Sequence, residues 1–137
     1  MKQKGFSLIE LLIVITIIGI LAVIVFPYLR KAKAAAENAN AYATMRTIIS
    51  AEFMFYSQKG RFGRLDELNT DQGGGLGGDI SGNTLYRGSF VFKMVPNNPT
   101  DAQLRQGFTI VASKPGSIDL PYAISGDHTG QITEILP

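Results

Sequence analysis

Few residues of this chain are of the types that carry out catalysis. The 137 residues include no cysteine and one histidine, His128, so neither a Ser-His-Asp triad nor a zinc site of the usual ligand spacing can be built. His128 lies in the sequence Gly-Asp-His-Thr-Gly, which is typical of a turn and predicts a solvent-facing side chain. We therefore predict no catalytic residue and no enzymatic activity.

A glycine-rich segment has the formal pattern of a nucleotide-binding motif. Residues 73–78 fit G-x-G-x-x-G, but no predicted strand leads into them and no predicted helix follows, as a dinucleotide-binding turn requires. The chain also lacks the Gly-Lys-Ser/Thr of a phosphate-binding loop. The sequence therefore indicates no nucleotide site, and we expect no cofactor.

One ionisable side chain, Glu10, stands inside a long apolar segment. It is the single charged residue among the 24 from Phe6 to Leu29. A helix of that length is about 36 Å long, enough to cross the roughly 30 Å hydrocarbon core of a bilayer. A charge in such a segment costs about 2.5–3.5 kcal/mol near the bilayer centre and less near the interface. Glu10 therefore either lies in the headgroup layer, where the start of the helix dipole favours an anion, or has a cationic partner.

The residues around Glu10 resemble the amino-terminal segment of a known family. Residues 4–12 read KGFSLIELL and are followed by an unbroken apolar run and Pro27. The pattern resembles the leader and first helix of type IV pilins and type II secretion pseudopilins, in which a glycine precedes the cleavage site and a glutamate is the fifth mature residue. The resemblance implies that a prepilin peptidase cleaves after Gly5 and methylates the new amine of Phe6, so that the apolar helix is retained.

Cleavage after Gly5 would also give Glu10 a partner. The new amine of Phe6 is four residues from Glu10, and groups at that spacing lie on the same face of a helix. We hypothesise that the Phe6 amine, of the same subunit or of a neighbouring one, pairs with Glu10. Assembly would then proceed by packing of apolar helices, and this pair would set their axial register.

Two residues are candidates for loosening the apolar helix. Gly19 lowers helix propensity by about 1 kcal/mol, and Pro27 removes a backbone donor and clashes with the preceding turn. One interpretation is that a membrane helix simply tolerates both. The other, which the family resemblance suggests, is that this segment loosens when subunits pack into a fibre.

The helix is predicted to continue beyond the apolar segment. Apolar residues recur at spacings of three and four and predict one amphipathic stripe that carries a domain; they are Ala35, Ala39, Tyr42, Met45, Ile49, Phe53 and Tyr56. The helix would end at about Gln58, with Gly60 as a left-handed carboxyl-terminal cap. At about 53 residues it would be roughly 80 Å long.

The remainder of the chain predicts a small globular domain with a β-sheet. Residues 69–83 are rich in glycine and predict a mobile surface loop. Short strands are predicted at residues 89–95, 107–114, 122–125 and 131–135, with turn sequences between them. A three- or four-stranded antiparallel sheet would cover its apolar face with the helical stripe, giving an α+β fold similar to the lollipop of the pilins.

The predicted organisation has four segments. Residues 1–5 form a leader peptide, residues 6–29 a transmembrane or filament-core helix, residues 30–59 an amphipathic helix half and residues 60–137 the globular domain. One small domain is all that a chain of this length supports once the apolar segment is set aside.

The flanking charges do not fix the orientation in a membrane. Lys2 and Lys4 on one side of the apolar segment are outnumbered by Arg30, Lys31 and Lys33 on the other, so the positive-inside rule favours a cytoplasmic globular domain. The family resemblance instead implies a single-pass inner-membrane protein with an extracytoplasmic domain, which later enters a periplasmic or cell-surface filament.

The net charge does not indicate a nucleic-acid partner. The formal charge is +2, but two lysines belong to the predicted leader, and 11 basic and 11 acidic side chains remain without them. A nucleic-acid interface requires basic residues clustered on one face. Lys59, Arg61 and Arg64 around Phe62 are the best candidates for such a contact, and a solvated loop is the favoured interpretation of them.

The family resemblance also raises the question of calcium, since some secretion pseudopilins carry that ion near the carboxyl terminus. Asp119, Asp127 and Glu134 have the oxygen ligands that calcium prefers, but their spacing matches no calcium-binding loop. We expect no bound metal.

The resemblance implies that the chain is a structural subunit of a type IV pilus or pilus-like filament. Its partners would be further copies of itself, the prepilin peptidase, the inner membrane, and an assembly platform with its ATPase. The alternatives are a type II secretion pseudopilin, a minor initiating or DNA-binding pilin, and a monomeric membrane-anchored binding module. A mere anchor would tolerate substitution of Glu10 and keep its leader uncut.

Overall fold

The structure is a computed structural model that describes residues 5–116 and 121–136. The described residues form three helices and one sheet: α1 (Leu8–Lys59), α2 (Leu65–Asp71), β1 (Asp79–Ser81), β2 (Thr84–Arg87), β3 (Phe90–Met94), α3 (Asp101–Gln106), β4 (Thr109–Ser113), β5 (Ala123–Asp127) and β6 (Ile132–Leu136). The strands follow one another across the sheet in chain order, and each neighbouring pair is antiparallel. The predicted α+β fold, a long amino-terminal helix with an antiparallel sheet, is confirmed.

The sheet has six strands rather than the predicted three or four. The additional hairpin, β1–β2, begins inside the glycine-rich segment that was expected to be a mobile loop. A two-residue turn, Gly82-Asn83, joins the strands, and Gly82 has a φ of +58°, which favours glycine. The loop prediction is wrong here because a three-residue strand between glycines gives no alternation to detect. Leu76, 1% exposed, also fixes part of that segment in the core.

The chain divides into two compact units, Met1–Ala36 and Glu37–Pro137, and the boundary falls within α1. The described part of the first unit consists of a short non-helical start, residues 5–7, followed by helix. The second unit, called the head unit below, contains the remainder of α1, the two short helices and the sheet.

Within the head unit, one face of α1 is buried. Its buried residues recur every three or four positions: Ala41, Thr44, Met45, Ile48, Ile49, Ala51, Glu52 and Phe55. The predicted stripe is right for Met45 and Ile49. It is wrong for four residues that are exposed, namely Ala35, Ala39, Phe53 and Tyr56. The buried face differs because Ile48, Ala51 and Phe55 form a second apolar series of the same spacing, and this series packs into the core.

The core of the head unit is built around one row of side chains across the sheet. Leu85, Phe92, Ala112 and Ile124 are aligned in neighbouring strands, and all four are fully buried. They belong to the same apolar cluster as the buried residues of α1. Burial of these side chains against the helix is the main stabilisation of the head unit.

A glycine allows β5 to approach α1 closely. A Cβ atom added at Gly126 would lie 2.7 Å from the sulfur of Met45 and 3.0 Å from Cδ1 of Ile49. Any larger residue there would have to displace the buried face of the helix.

Helix α1 ends as predicted. Its last residue is Lys59, and Gly60 follows with a φ of +72° and donates its N–H to the carbonyl of Tyr56 at 2.9 Å. The chain then forms α2 and α3, two short helices that no periodic pattern predicted. In α3, Thr100 and Gln103 form a capping box at the amino terminus.

Candidate functional site

The predicted processing site lies directly before α1. Gly5, Phe6 and Ser7 precede the first helical residue, and Phe6 is 81% exposed. The backbone N–H of Leu11 donates to the carbonyl of Ser7 at 3.1 Å, which closes the first turn. The bond after Gly5 therefore lies in an exposed, non-helical stretch that a protease can reach. The leader residues before Gly5 lie outside the described residues, and cleavage stays a prediction.

Glu10 lies in the first turn of α1 and is exposed. The unpaired backbone N–H groups at a helix start favour an anion at this position. Glu10 thus lies near the start of the apolar segment, four residues after Phe6, which itself precedes the helix. The pairing of Glu10 with the Phe6 amine stays a prediction.

The apolar segment exposes its whole surface. Among the described residues, α1 is the one helix that is long and apolar enough to cross a membrane, and no residue of its most apolar part is buried within the chain. Soluble proteins rarely expose an apolar patch of this size, which marks a surface that is covered by lipid or by protein. The hydroxyl of Thr16 is satisfied within the helix, because it donates to the carbonyl of Leu12 at 2.7 Å.

The two predicted loosening residues lie inside this segment. Helix α1 continues through Gly19 and Pro27 without interruption. A Cβ atom added at Gly19 would meet no atom within 4 Å. The absence of a side chain at Gly19 therefore has no packing reason within the described chain, and loosening in a fibre stays a prediction.

Two residues of the candidate nucleic-acid contact, Phe62 and Arg61, are engaged within the head unit. Phe62 is 6% exposed and packs against Phe108 with ring centroids 4.8 Å apart. The Arg61 guanidinium binds the carboxylate of Glu67. The expected solvated loop is therefore wrong for Phe62, since its ring is part of the core.

The second arginine of that group is also held within the head unit. Nη2 of Arg64 donates to the carbonyl of Pro99 at 2.8 Å and to Oδ1 of Asp101 at 2.9 Å. The two arginines thereby connect the segment after α1 to α2 and α3, which is a structural role.

The candidate calcium ligands do not form a group in the described residues. Asp119 lies outside them. Oδ1 of Asp127 accepts hydrogen bonds from the backbone and hydroxyl of Thr129, and Oε1 of Glu134 accepts one from the Tyr122 hydroxyl at 3.2 Å. No cluster of three or more His, Cys, Asp or Glu side chains that could hold a metal ion occurs in the part of the chain that the structure describes.

His128 lies in the turn between β5 and β6 and is exposed, as predicted. Its backbone N–H donates to the carbonyl of Phe108 at 3.2 Å.

The sequence did not predict a buried acid in the head unit. Glu52 of α1 is 0% exposed. Its Oε2 accepts a hydrogen bond from the backbone N–H of Gly63 at 2.8 Å, and its Oε1 has no hydrogen-bond partner among the described residues. The available signal was its position: Glu52 follows Ile48 and Ile49 by three or four residues and precedes Phe55 by three, which places it on the apolar face.

Burial dominates the electrostatics of Glu52. The pKa of Glu52 is raised from the ordinary 4.5 to about 8. Loss of water is the main cause and the negative charge of Glu67 adds to it, whereas the hydrogen bond from the Gly63 N–H and the charge of the Arg61 guanidinium act in the opposite direction. At neutral pH the neutral acid is therefore favoured. An unsatisfied buried polar group costs about 1–3 kcal/mol, and an unpaired buried charge costs more.

Comparison with known proteins gives two matches. Residues 1–26 match the family model of the prokaryotic N-terminal methylation motif. The chain is also 39% identical over 61 residues to the type IV major pilin protein PilA of Myxococcus xanthus, strain DK1622. That alignment covers 44% of this chain and 28% of the relative, so the chain matches well under a third of the length of that protein. No solved structure matches the chain.

Proposed function

We propose that this chain, which matches the prokaryotic N-terminal methylation motif and is similar over 61 residues to a type IV major pilin, is a structural, non-enzymatic subunit of a type IV pilus or pilus-like filament. One observation carries the proposal: an apolar helical segment with every side chain exposed begins at a methylation motif. Such a surface must be covered, and a filament covers it with the same segment of other copies.

The mechanism we propose is an exchange of lipid for protein contacts. The subunit is stored in the inner membrane as a single-pass protein with its head unit outside the cytoplasm. A prepilin peptidase removes the leader after Gly5 and methylates the amine of Phe6. The apolar helices then leave the bilayer and pack against each other in the filament, driven by an assembly platform and its ATPase.

Glu10 has a specific part in this mechanism. A carboxylate in an apolar surrounding is costly unless it is paired. The Phe6 amine, on the same or a neighbouring subunit, supplies the opposite charge. Where the amine belongs to a neighbouring subunit, only one axial step between helices brings every Glu10 next to an amine, and this condition sets the register of the filament.

The proposal is tested by the mass of the amino-terminal peptide of protein from sheared filaments. We expect a peptide that begins at Phe6 and carries one methyl group. Cleaved protein without surface filaments would favour the pseudopilin alternative. Protein that retains Met1 and sediments as a monomer would contradict the proposal and favour a membrane-anchored binding module.

A further inference from the structure

We propose that the head unit contains a proton-controlled latch: protonated Glu52 holds the covering segment, residues 60–64, against α1, and loss of that proton releases the segment. The inference concerns the head unit alone and is independent of the proposed function.

The geometry places Glu52 directly under the covering segment. The Glu52 side chain is fully buried on α1, and its contact to the covering segment is the hydrogen bond from the Gly63 N–H at 2.8 Å. Phe62 and Gly63 are themselves buried. The fit is tight, because a Cβ atom added at Gly63 would lie 3.0 Å from Leu68 and 3.3 Å from Phe55. Water therefore cannot reach Glu52 while the segment is in place.

The surrounding charges do not neutralise an ionised Glu52. The covering segment contributes Arg61, but both terminal nitrogens of its guanidinium are bound to Glu67 at 2.9 and 2.7 Å. Helix α2 contributes Glu67, which repels a second negative charge. Helix α3 contributes Asp101, which lies 3.8 Å from Nε of Arg61 and engages the same cation. On α1 itself, Lys59 is seven residues away.

The strands contribute no charged side chain to the described core cluster around Glu52. Their buried side chains in the core cluster are apolar or aromatic, for example Leu85, Phe92 and Ile110. Oε1 of Glu52 also lacks a hydrogen-bond partner among the described residues. An ionised Glu52 would keep the Gly63 N–H as a donor to Oε2, but its second oxygen has no donor among the described residues, and water can supply one only when the segment opens.

The covering segment is the element best placed to move. It lies between α1 and α2 outside any regular ladder, and its central amides make two hydrogen bonds: Gly63 to Glu52, and Phe62 to the carbonyl of Leu104 at 3.0 Å. Opening also has to break the bonds of Arg61 to Glu67 and of Arg64 to Asp101. A segment with so few backbone bonds still opens at lower free energy than a strand or a helix does. The raised pKa of Glu52, caused by burial, agrees with this coupling of its proton to the closed segment.

Amide hydrogen exchange of Phe62 and Gly63 tests the latch in the full chain, solubilised in detergent micelles. Opening exposes Glu52 to water, so that the open state releases a proton that the closed state keeps. The protection factors of both amides should therefore fall about tenfold per pH unit between about pH 5 and 8. In Glu52→Gln, a neutral side chain of the same shape, the protection factors should not depend on pH. Glu37→Gln is the control, since Glu37 lies on the same helix but bonds to Lys114 and Ser89; it should keep the wild-type dependence.

Two results would overturn the inference: protection that is constant across this range in the wild type, or a wild-type slope in Glu52→Gln. If Glu52→Gln does not fold, the carboxyl ¹³C signal of Glu52 in the wild-type chain decides. Titration of that signal above pH 7 supports the latch, and titration below pH 5.5 contradicts it.

Discussion

The guanidinium of Arg61 and the carboxylate of Glu67 form a two-pronged ion pair, with Nη1–Oε2 at 2.9 Å and Nη2–Oε1 at 2.7 Å. Oε2 of Glu67 also accepts the backbone N–H of Arg64 at 2.9 Å, so one carboxylate binds the segment after α1 and caps α2. The hydrogen bonds from Arg61, with that backbone bond and both arginine charges, lower the pKa of Glu67 to about 2.

The first prediction is that Glu67→Gln destabilises the head unit by about 1.5–3 kcal/mol at pH 7, because it removes a charge-assisted pair. The stabilisation by Glu67 is fully present above pH 4.5 and is lost as the pH falls towards 2, since the folded state then binds fewer protons than the unfolded state. Urea unfolding of the full chain in micelles, followed by near-UV circular dichroism of the tyrosines, measures both effects.

Asp71→Asn is the matched control for this prediction. Asp71 is the exposed last residue of α2, and its substitution should change the free energy of unfolding by less than about 0.5 kcal/mol. Equal stability of Glu67→Gln and the wild type at pH 7 would show that the ion pair contributes nothing.

Glu67 and Glu52 act on stability in opposite directions along the pH scale. The stabilisation by Glu67 disappears below its ordinary pKa, whereas the buried Glu52 makes the folded state lose stability as the pH rises from 4.5 to about 8. The second prediction is therefore that the head unit is most stable near pH 5, and that Glu52→Gln moves this maximum to higher pH. Unfolding midpoints in urea at pH 3, 5, 7 and 8.5 measure the curve, and a maximum at pH 7 or 8.5 in the wild type would contradict it.

The third prediction concerns the close approach of β5 to α1. Gly126→Ala should destabilise the head unit by about 1–3 kcal/mol, because its methyl group would press on Met45 and Ile49. Thermal unfolding of the full chain in micelles measures the loss. Thr133→Ala, an exposed change on the neighbouring strand β6, is the control, and a Gly126→Ala chain as stable as this control would mean that the helix and sheet can separate without cost.

Sequence periodicity predicted the elements that are long or regularly patterned. Residues of α1 and of β3 to β6 alternate or recur over enough positions to be recognised, and Gly60 marked the end of the helix. The hairpin β1–β2 was missed because its strands have three and four residues. The prediction missed which face of α1 is buried. One apolar series contains Phe53 and another contains Phe55, both have the same spacing, and only tertiary packing decides which of them enters the core.

The amino-terminal motif could be predicted from the sequence, whereas the contact of Glu52 with Gly63 could not. Gly5, Phe6 and Glu10 form a local motif, so their positions relative to each other follow from the chain itself. Glu52 and Gly63 are 11 residues apart and meet only when the chain turns back after α1. No spacing rule for a single helix predicts such a contact, and a charged residue on an apolar face was the only local sign of it.

The fourth prediction is that Gly19→Ala inserts normally and is processed normally but forms fewer filaments. Alanine raises helix propensity by about 1 kcal/mol, and its methyl group meets nothing within the described chain. A defect would therefore arise between subunits, where the helix must loosen or approach another copy closely. Filament yield after shearing is the measurement. Val23→Ile, which also adds one carbon to the exposed apolar surface, is the control, and equal yields from the two variants would remove the role of Gly19.

The fifth prediction is that Glu10→Gln leaves membrane insertion intact and impairs filament assembly. Glutamine has nearly the same shape without the charge, so insertion becomes no more costly. In the packed filament, however, the amine of Phe6 would lose its partner, and an unpaired buried charge costs about 2–5 kcal/mol per contact. Filaments recovered by shearing should fall at least tenfold, while the amount of protein in the membrane fraction stays constant. Glu37→Gln, at an acid of α1 in the head unit that bonds to Lys114, is the control and should assemble as the wild type does. Wild-type filament yield from Glu10→Gln would leave Glu10 as an interfacial anion that the helix dipole stabilises, with no part in setting the register.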